Sequence, residues 1–457
     1  MSDEQPTGAL ERGLGLSAAT SIVVGGIIGS GIFIAPAIIA REVGAPGLSL
    51  AVWVIAGIVA TAGALCIAEL AAAVPETGGQ YVFLRRAYRS PLLAFLFGWA
   101  MFFASFTGAI AAVATVFAGY LGHFLEGAVP YGTGAQRAVA VGLILFLTAI
   151  NYLSVRLAGR VQTIATSLKV VALIGVIAVA FLLGQGDATR FAPFLPETPP
   201  STGLIAAFGT ALIPAFFAYN GWTYSAYVAG EVKDPERTLP RSILIGIAIV
   251  LVVYLLMNAA LVYVLPFETL RTTGRPAAAA MELVLGPVGG GVTALAVLIS
   301  TFGTANAVLL SCTRTYFAMS RDRLFFPALE RVHPRHRTPA NAILVQGILA
   351  SAFALSGTFE QILTYYAFVD FLFAVLAVGA VMMLRQREPG LARPYRAWGY
   401  PVTPLLFVGF GVWYLVNTAI HRPAESAVGV VLTLSGIPFY LYWSRRNRRA
   451  AQHGHEN

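Results

Sequence analysis

Charged residues divide this 457-residue sequence into long apolar stretches, and the length of those stretches is its most constraining feature. Ten stretches carry no charge: residues 13–40, 43–68, 90–122, 138–155, 198–230, 242–267, 283–313, 338–359, 397–420 and 426–444. Two more, 161–186 and 361–384, are each interrupted by one charge, Lys169 or Asp370. A helix needs about 20 mainly apolar residues to cross the hydrocarbon core of a membrane. The pattern therefore predicts twelve membrane-spanning helices.

Composition favours an all-α membrane protein over the alternatives. Charged residues make up 11% of the chain and hydrophobic residues 57%, whereas soluble domains carry roughly 25% charged residues. A membrane β-barrel would show alternating segments of about ten residues, but these stretches are continuously apolar. We therefore expect a bundle of helices without a separate soluble domain.

The distribution of basic residues predicts the orientation of the bundle, because Lys and Arg concentrate in cytoplasmic loops. With the N-terminus in the cytoplasm, 23 of the 30 basic residues lie in cytoplasmic segments and six in external ones, while Lys169 lies within a span. Both terminal segments, 1–12 and 445–457, are therefore expected to be cytoplasmic in a multi-pass protein of the cell membrane. The net charge of +9 follows from this topology, so we expect no nucleic-acid partner.

Two of the predicted spans are interrupted by residues that disrupt helices. The first contains GGIIGSGIF at 25–33, with four glycines in seven positions, and the sixth contains PAFFAYNGW at 214–222. Each opens a set of five spans. Paired Gly/Pro interruptions at corresponding positions of two halves indicate the binding site of a transporter. Close packing of glycines between neighbouring helices is the alternative explanation.

A helix that is unwound in mid-membrane suits a zwitterionic ligand, because its backbone groups lose their partners and must find others. The start of the outer half-helix presents amide groups and about +0.5 of a charge, which favours a carboxylate. The inner half-helices end in free carbonyls, which favour an ammonium group. An α-amino acid carries both groups side by side, so the sequence predicts an amino acid transporter.

Motifs for catalysis, metal binding or cofactor binding are missing from the sequence. The six histidines form no H-E-x-x-H motif and no ligand pair with cysteine. Cys66 and Cys312 lie in apolar stretches and offer no disulfide framework. We therefore expect no catalytic residue, no metal and no cofactor. An intramembrane enzyme is a weaker alternative, because no histidine lies within a predicted span. A channel is disfavoured because matched broken helices suit a closed central binding site.

Several passages resemble the amino acid–polyamine–organocation superfamily, and within it permeases of the L-amino-acid-transporter type. They follow the family's order along nearly the whole chain: GGIIGSGIF at 25–33, AELAAAVPETGGQY at 68–81, FAYNGW at 217–222, GEVKDPERTLPR at 230–241, STFGTAN at 300–306 and RPYRAWGYP at 393–401. The resemblance implies a leucine-transporter-type fold that works by alternating access, with helices 1 and 6 unwound. It assigns 13–186 and 198–384 to two five-helix repeats of inverted orientation, and 397–444 to two extra helices.

The same resemblance places the substrate between the two interrupted helices. It implies that the substrate carboxylate meets the backbone amides and hydroxyl around Gly29, Ser30 and Gly31. Its ammonium group is expected to meet backbone carbonyls on both broken helices. The candidate carbonyls belong to Ile27, Phe217, and Ala218 or Asn220.

Three residues of the sixth span are expected to shape the pocket for the side chain. Phe217 occupies the position where relatives have an aromatic gate over the substrate. Asn220 stands where relatives with large substrates often have glycine, so we expect a narrow pocket. Trp222 should lie near the cytoplasmic side of the pocket.

Two charges within the predicted spans are candidates for coupling transport to its driving force. Lys169 lies about nine residues into its span, roughly 13 Å deep, and relatives have a lysine where sodium-dependent members bind sodium. It could couple transport or tether neighbouring helices. Ser300 and Thr301 are expected to hydrogen-bond Lys169 if the eighth helix passes the fifth. Asp370 could carry a proton, contact a polar substrate or only hydrogen-bond a neighbouring helix.

Together these features predict a secondary transporter that moves small neutral L-amino acids without sodium, either with protons or by exchange. A polyamine or basic-amino-acid exchanger is the alternative, and Asp370 is the acidic pocket residue that it would need. Some animal relatives join a single-span partner through a cysteine between helices 3 and 4. Residues 123–136 contain no cysteine, so no disulfide-linked partner is expected. The oligomeric state is open.

Overall fold

The computed structural model describes residues 10–125, 129–201, 203–356 and 359–453, and they form an all-α protein, as predicted. Its helices are α1 (Leu16–Ile27), α2 (Gly31–Val43), α3 (Pro46–Ala73), α4 (Gln80–Tyr88), α5 (Pro91–Ala100), α6 (Phe106–Leu125), α7 (Thr133–Leu153), α8 (Val155–Leu182), α9 (Leu204–Tyr219), α10 (Tyr224–Tyr227), α11 (Pro235–Val264), α12 (Phe267–Thr272), α13 (Pro276–Leu285), α14 (Pro287–Arg321), α15 (Ala340–Ser356), α16 (Phe359–Arg387), α17 (Val402–His421), α18 (Pro423–Leu434) and α19 (Ile437–His453). A π-helical turn, Met101–Ser105, joins α5 to α6.

Ten helical segments within the described ranges are long and apolar enough to cross a membrane. They are Leu16–Val43, Pro46–Ala73, Pro91–Leu125, Thr133–Leu153, Val155–Leu182, Pro235–Val264, Pro287–Arg321, Phe368–Arg387, Val402–His421 and Pro423–Asn447. The other two predicted spans correspond to shorter helices, α9 with 16 residues and α15 with 17 residues. The protein is therefore a multi-pass membrane protein, while the count of twelve spans stays a prediction.

Burial separates central helices from peripheral ones. In the apolar parts of the α1–α2 span and of α14, 83% of the residues are buried, against 22% in the α18–α19 span. α1 packs against α8, α11 and α14, and α3 packs against α9 and α11. Peripheral helices instead expose apolar side chains such as Val431 in α18, as a surface in contact with lipid requires. The first broken helix, α1–α2, thus lies where protein surrounds it.

The first predicted break is present between α1 and α2. Ile28 is extended, with φ −73° and ψ 91°, so the helix stops after Ile27 and restarts at Gly31. A Cβ atom on Gly31 would lie 3.0 Å from the Cα atom of Ala218 in α9. The start of α2 and the end of α9 therefore cross backbone against backbone, which a larger residue at position 31 would prevent.

The second predicted break is present between α9 and α10. Asn220 is extended, with φ −69° and ψ 144°, directly after α9 ends. Gly221 has φ 122°, a conformation that glycine adopts without steric cost. A Cβ atom there would lie 2.8 Å from the carbonyl carbon of Gly26. The two breaks touch because neither Gly31 nor Gly221 places a side chain between them.

Backbone pairing closes the bundle at the end where α1 begins. The amide of Leu14 donates to the carbonyl of Glu231 at 3.0 Å, and the carbonyl of Leu14 accepts from the amide of Lys233 at 2.8 Å. This short parallel bridge joins the chain before α1 to the loop between α10 and α11. The segment that precedes the first helix break and the segment that follows the second are thereby fixed to each other at this end.

A buried ion pair lies beside this bridge. Arg314 of α14 donates from Nε and Nη2 to the two carboxylate oxygens of Glu231, both at 2.7 Å, and both side chains are fully buried. The charge-free stretch 283–313 ends before Arg314, which the sequence analysis counted among the cytoplasmic basic residues. α14 continues to Arg321, because the Glu231 carboxylate compensates the charge within the protein.

Candidate functional site

A cavity of about 150 Å³ lies where the two helix breaks meet. Ligand pockets for drug-sized molecules measure about 300–1,000 Å³, so this cavity suits a smaller molecule. It is lined by all eight residues that the sequence assigned to substrate binding: Ile27, Gly29, Ser30, Gly31, Phe217, Ala218, Asn220 and Trp222. Asp370 also lines it, whereas Lys169, Ser300 and Thr301 are not among its lining residues.

The carbonyl end of α1 is held by side chains from α8 and α14. Lys169 is fully buried and donates to the carbonyl of Gly25 at 3.0 Å and to that of Ile28. The hydroxyl of Thr304 lies 2.9 Å from the same two carbonyl oxygens and accepts from Lys169 at 3.0 Å. The ammonium group therefore lies at the negative end of the α1 dipole, and its hydrogen-bond partners among the described residues are all neutral.

The other side of the first break leaves backbone amides without partners. The amides of Gly29 and Ser30 donate to no acceptor within the part of the chain that the structure describes. Gly31 starts α2, and the first amides of a helix have no acceptor within it. All three residues line the cavity. Free amides at a helix start bind anionic groups such as carboxylates.

A tyrosine of α11 joins the two breaks. The hydroxyl of Tyr254, which is fully buried, lies 3.0 Å from the carbonyl oxygen of Ile27 and 3.0 Å from that of Ala218. A phenol has one hydrogen to donate, so the two carbonyls share it and retain lone pairs for a further donor. The sequence analysis missed Tyr254, because a tyrosine within an apolar stretch looks the same whether it packs in a core or holds a backbone.

Asp370 links α16 to the second break. The side-chain amide of Asn220 donates to Oδ2 of Asp370 at 2.6 Å, and the hydroxyl of Ser105 lies 3.5 Å from Oδ1. The hydrogen bond to a neighbouring helix is thus observed, and the carboxyl group also borders the cavity. Ser105 was missed by the sequence analysis, since a π-helical turn, which shifts the residues facing the cavity, has no clear sequence mark.

Comparison with known proteins identifies the family. The family model described as "Amino acid permease" matches residues 14–443, nearly the whole chain. The chain belongs to this family. The protein is thus an amino acid permease, and the resemblance seen in the sequence motifs is confirmed.

Several known relatives are about one-third identical to this permease over most of its length. The serine/threonine exchanger SteT of Bacillus subtilis (strain 168) is 32% identical over 445 residues, covering 97% of this chain and 98% of that protein. Asc-type amino acid transporter 1 of Mus musculus is 32% identical over 443 residues, covering 95% and 82%. The b(0,+)-type amino acid transporter 1 of Homo sapiens is 32% identical over 449 residues, covering 96% and 89%. The names of all three describe transporters or exchangers.

The partners of Lys169 in this permease differ from those expected. Thr304, rather than Ser300 or Thr301, is the α14 residue that hydrogen-bonds its ammonium group. Ser300 lies 3.2 Å from two carbonyl oxygens of the first break, and the hydroxyl of Thr301 bonds within its own helix. α14 does pass α8, as expected. Thr304 follows Ser300 by four residues on the same helix face, and this spacing could have identified it.

The aromatic residues of the permease cavity differ in their exposure. Phe217 is 52% exposed, so its ring is accessible as a gating side chain must be. Trp222 is buried and packs edge-on against Phe407 of α17, with 5.8 Å between the ring centroids. The hydroxyl of Tyr227 donates to the side chain of Gln80 at 2.8 Å, and both residues line the cavity. Phe217 is therefore the exposed ring among these cavity residues, and Trp222 is a packed one.

Groups able to hold a metal ion are not found near this site. In the described part of the permease, no cluster of three or more His, Cys, Asp or Glu residues is placed to hold a metal. Cys66 and Cys312 are buried free thiols. The polar groups that line the cavity include the backbone of the two breaks, the side chains around Asp370, and others such as Gln80 and Tyr227.

Proposed function

We propose that this permease is a secondary active transporter that moves small neutral L-amino acids across the cell membrane by alternating access, without sodium. It either exchanges amino acids or couples to protons. In this proposal α9 with α10, and α15, complete twelve spans, and both termini lie in the cytoplasm. Residues 13–186 and 198–384 form two inverted five-helix repeats. The name of one relative, a serine/threonine exchanger, supports exchange of amino acids.

The observation that carries the proposal is the arrangement of unpaired backbone groups at the touching breaks. The amides of Gly29 and Ser30 lack acceptors among the described residues, and the carbonyls of Ile27 and Ala218 share one hydroxyl hydrogen. A carboxylate at the amides and an ammonium group at the carbonyls would satisfy both sets. An α-amino acid carries these groups on one carbon atom, so its common backbone fits the site.

The cavity supports a small side chain on that amino acid. Its volume is about 150 Å³, and the side chain of Asn220 lies at the break beside the place for the substrate backbone. Aromatic rings, among them Phe216 and Phe371, form its walls. We therefore expect alanine and serine to be preferred over tryptophan, and Asn220→Gly to admit larger substrates.

Lys169 supports independence from sodium. Its ammonium group lies among the carbonyl oxygens of Gly25 and Ile28 and the hydroxyl of Thr304. Unwound backbone carbonyls of this kind coordinate sodium in other transporters. A positive charge that is already present repels a second cation over a few ångströms, so the position has no need of a sodium ion.

An exchanger of basic amino acids or polyamines is a second candidate, and Asp370 is the observation that favours it. Its carboxyl group borders the cavity, and it forms no ion pair with any described residue. The ammonium group of a lysine side chain or a polyamine would supply the missing positive charge. The small cavity is the argument against this candidate.

Uptake by proteoliposomes tests the proposal. Purified permease in vesicles preloaded with unlabelled alanine should take up labelled alanine and serine faster than leucine or arginine. Replacing sodium with choline at fixed pH should leave uptake unchanged. Strict dependence on sodium would contradict the role given to Lys169, and fastest uptake of arginine would favour the second candidate.

A matched pair of glycine variants tests the position of the site. In Gly31→Ala, the added methyl group must displace the backbone of α9, 3.0 Å away at Ala218. The shift needed is a few tenths of an ångström, and a displacement of about 1 Å at a binding site can cost about 100-fold in rate, so alanine uptake should fall about fourfold. Gly142→Ala in α7 is the control, because a methyl group there meets nothing within 4 Å. Equal uptake by both variants would mean that the substrate carboxylate does not bind at the start of α2.

A further inference from the structure

We infer that Ser105, Asn220 and Asp370 form a subsite for the substrate side chain, and that it selects a hydroxyl group such as that of serine or threonine. The inference rests on the proposed function, since it concerns the side chain of an amino acid bound at the helix breaks. The three residues come from separate elements: the π-helical turn before α6, the break after α9, and α16. All three line the cavity.

The Asp370 carboxyl group has unused capacity to accept hydrogen bonds. Two carboxylate oxygens offer about four lone-pair sites. Asn220 occupies one at 2.6 Å, and Ser105 approaches a second at 3.5 Å, which is at the limit of a hydrogen bond. A carboxyl group that is protonated still keeps an accepting oxygen. In either state, the group can accept a hydrogen bond from a ligand in the cavity.

Within the described part of the chain, no positively charged side chain lines the cavity beside this acceptor. Among the described residues that line the cavity, none is lysine, arginine or histidine, and Asp370 has the one carboxyl group. An acceptor that is removed from water without a donor is costly. A bound substrate would exclude water from the cavity, so a substrate with its own donor near Asp370 is favoured over one with a methyl group there.

The location of the subsite limits the length of the side chain that reaches it. Asn220 is the first residue of the second break, and its short side chain alone connects that backbone to the carboxylate of Asp370. A substrate whose α-groups lie at the breaks therefore needs a donor within one or two carbons of its Cα atom. Serine and threonine place a hydroxyl group there. Lysine and arginine carry their charge much further out, and the cavity of about 150 Å³ leaves little space for such a chain.

The π-helical turn is a second feature of the same subsite. Turns of this type occur as single insertions in α-helices and are frequent at functional sites. This one ends at Ser105, the residue that faces Asp370. The irregular backbone therefore coincides with the polar side of a cavity that α6 otherwise lines with Phe106, Ala109, Ala112 and Val113.

Isosteric substrates test the inference in the unmodified permease. Threonine and valine differ by a hydroxyl in place of a methyl group, as do serine and 2-aminobutyrate. Each would be titrated as a competitor of labelled alanine in preloaded proteoliposomes. A hydrogen bond to a charged group corresponds to a preference of about 10- to 100-fold. We expect threonine to inhibit at a concentration lower than valine by this factor, with the same order for serine over 2-aminobutyrate.

Variants assign the preference to Asp370. Asp370→Leu removes the acceptor at similar volume, so the ratio of the threonine and valine inhibition constants should fall to within about threefold of one. Asp370→Asn keeps one accepting oxygen and should retain part of the preference. Asp187→Asn is the matched control, because it makes the same chemical change at an exposed loop residue and should keep the wild-type ratio.

The outcomes separate this inference from the proposed function. Equal inhibition by threonine and valine in the wild type, with alanine still transported, overturns the hydroxyl subsite alone. Stronger inhibition by lysine than by threonine overturns it in favour of a cationic side chain. An unchanged ratio in a folded Asp370→Leu or Asp370→Asn variant removes Asp370 from the subsite. Failure to transport any amino acid would refute the proposed function and the inference together.

Discussion

Arg314 and Lys169 are both fully buried cations, but their charges are compensated in different ways. Arg314 faces a full negative charge, with two hydrogen bonds of 2.7 Å to the carboxylate of Glu231. Lys169 faces two backbone carbonyls and one hydroxyl. The first cation meets another charge, and the second meets only dipoles at a helix end.

This difference indicates different roles for the two helices that carry them. The planar guanidinium group fixes one bidentate geometry with a carboxylate, so Arg314 anchors α14 to the closed end of the bundle. The dipoles around Lys169 belong to the end of α1 and change position whenever that half-helix moves. We therefore expect Arg314 to determine stability mainly, and Lys169 to determine transport mainly.

The largest effect is expected from Arg314→Met. The substitution leaves the carboxylate of Glu231 buried without its partner, and breaking one side of a buried pair costs about 3–5 kcal/mol. The melting temperature of the purified permease in detergent should fall by far more than in any other variant discussed here.

A double variant sharpens this prediction. In Arg314→Met with Glu231→Leu, no buried charge is left unpaired, and apolar replacements of a buried pair are often neutral or stabilising. Its melting temperature should recover towards the wild-type value. A single Arg314→Met variant as stable as the wild type would mean that water or another cation reaches Glu231, and the comparison would fail.

Lys169→Met should have a small effect on stability and a large effect on transport, in contrast to Arg314→Met. Methionine keeps much of the length of lysine, and no carboxylate is left unpaired, so the cost is that of unmade hydrogen bonds, about 1–3 kcal/mol. Alanine uptake driven by an inward proton gradient should fall more than tenfold, because a proton carrier is lost or because the Gly25 and Ile28 carbonyls lose their donor at the end of α1. The two measurements are melting temperature and uptake on the same preparation.

The pH dependence of Lys169→Met separates coupling from tethering. If the lysine carries a proton, exchange of alanine should persist while accumulation driven by an inward proton gradient is lost. If it only tethers α1 to α8 and α14, exchange and accumulation should be lost together at every pH. A variant with normal uptake and a low melting temperature would make Lys169 an anchor like Arg314.

Thr304→Val is expected to show a smaller effect of the same kind. Valine has the shape of threonine, but it cannot hydrogen-bond the Gly25 and Ile28 carbonyls. Those carbonyls keep Lys169 as a donor. The expected cost is about 0.5–1.5 kcal/mol, that of one hydrogen bond, with a partial loss of uptake. Thr301→Val is the matched control, since its hydroxyl bonds only within α14. Equal effects of the two substitutions would show that the contact across helices is unimportant.

Much of the fold was accessible from the sequence, because crossing a membrane requires long apolar stretches and the interruptions within them are local. The four glycines around Gly29 and the proline before Asn220 marked both breaks, and every residue assigned to substrate binding lines the cavity. The continuation of α14 past Arg314 was not accessible, for a physical reason. A charge ends an apolar stretch in sequence, whereas in the fold a distant carboxylate allows the helix to continue.

The partners of the breaks could not be read from the sequence. Tyr254 and Thr304 act on backbone groups that lie 227 and 279 residues away at most, so their roles depend on how the helices pack. Ser105 faces Asp370 through a π-helical turn, which alters the helical period that a sequence pattern assumes. These contacts are tertiary, while the helix breaks themselves are local.

The smallest effect on stability is expected for Arg86 and Glu388, which form an arginine–glutamate pair like that of Arg314 and Glu231 but in a more exposed place. Outside the membrane-spanning segments, Arg86 donates to Oε2 of Glu388 from Nη2 at 2.7 Å and from Nε at 3.1 Å. The two side chains are 32% and 27% exposed. Water and salt screen such a pair, and exposed pairs contribute about 0–1 kcal/mol. Glu388→Gln should therefore lower the melting temperature only slightly, in contrast to Arg314→Met.

The pH dependence of this pair has a definite sign. The hydrogen bond from Arg86 holds the pKa of the Glu388 carboxyl group below its ordinary value. A lowered pKa in the folded state means that the contribution is complete above the pKa of unfolded glutamate, about 4.3, and is lost as the pH falls through the folded value. The wild type and Glu388→Gln should thus differ by the same small amount from pH 8 to about pH 5 and converge in stronger acid. A difference as large as that of Arg314→Met would show that burial is not what separates the two pairs.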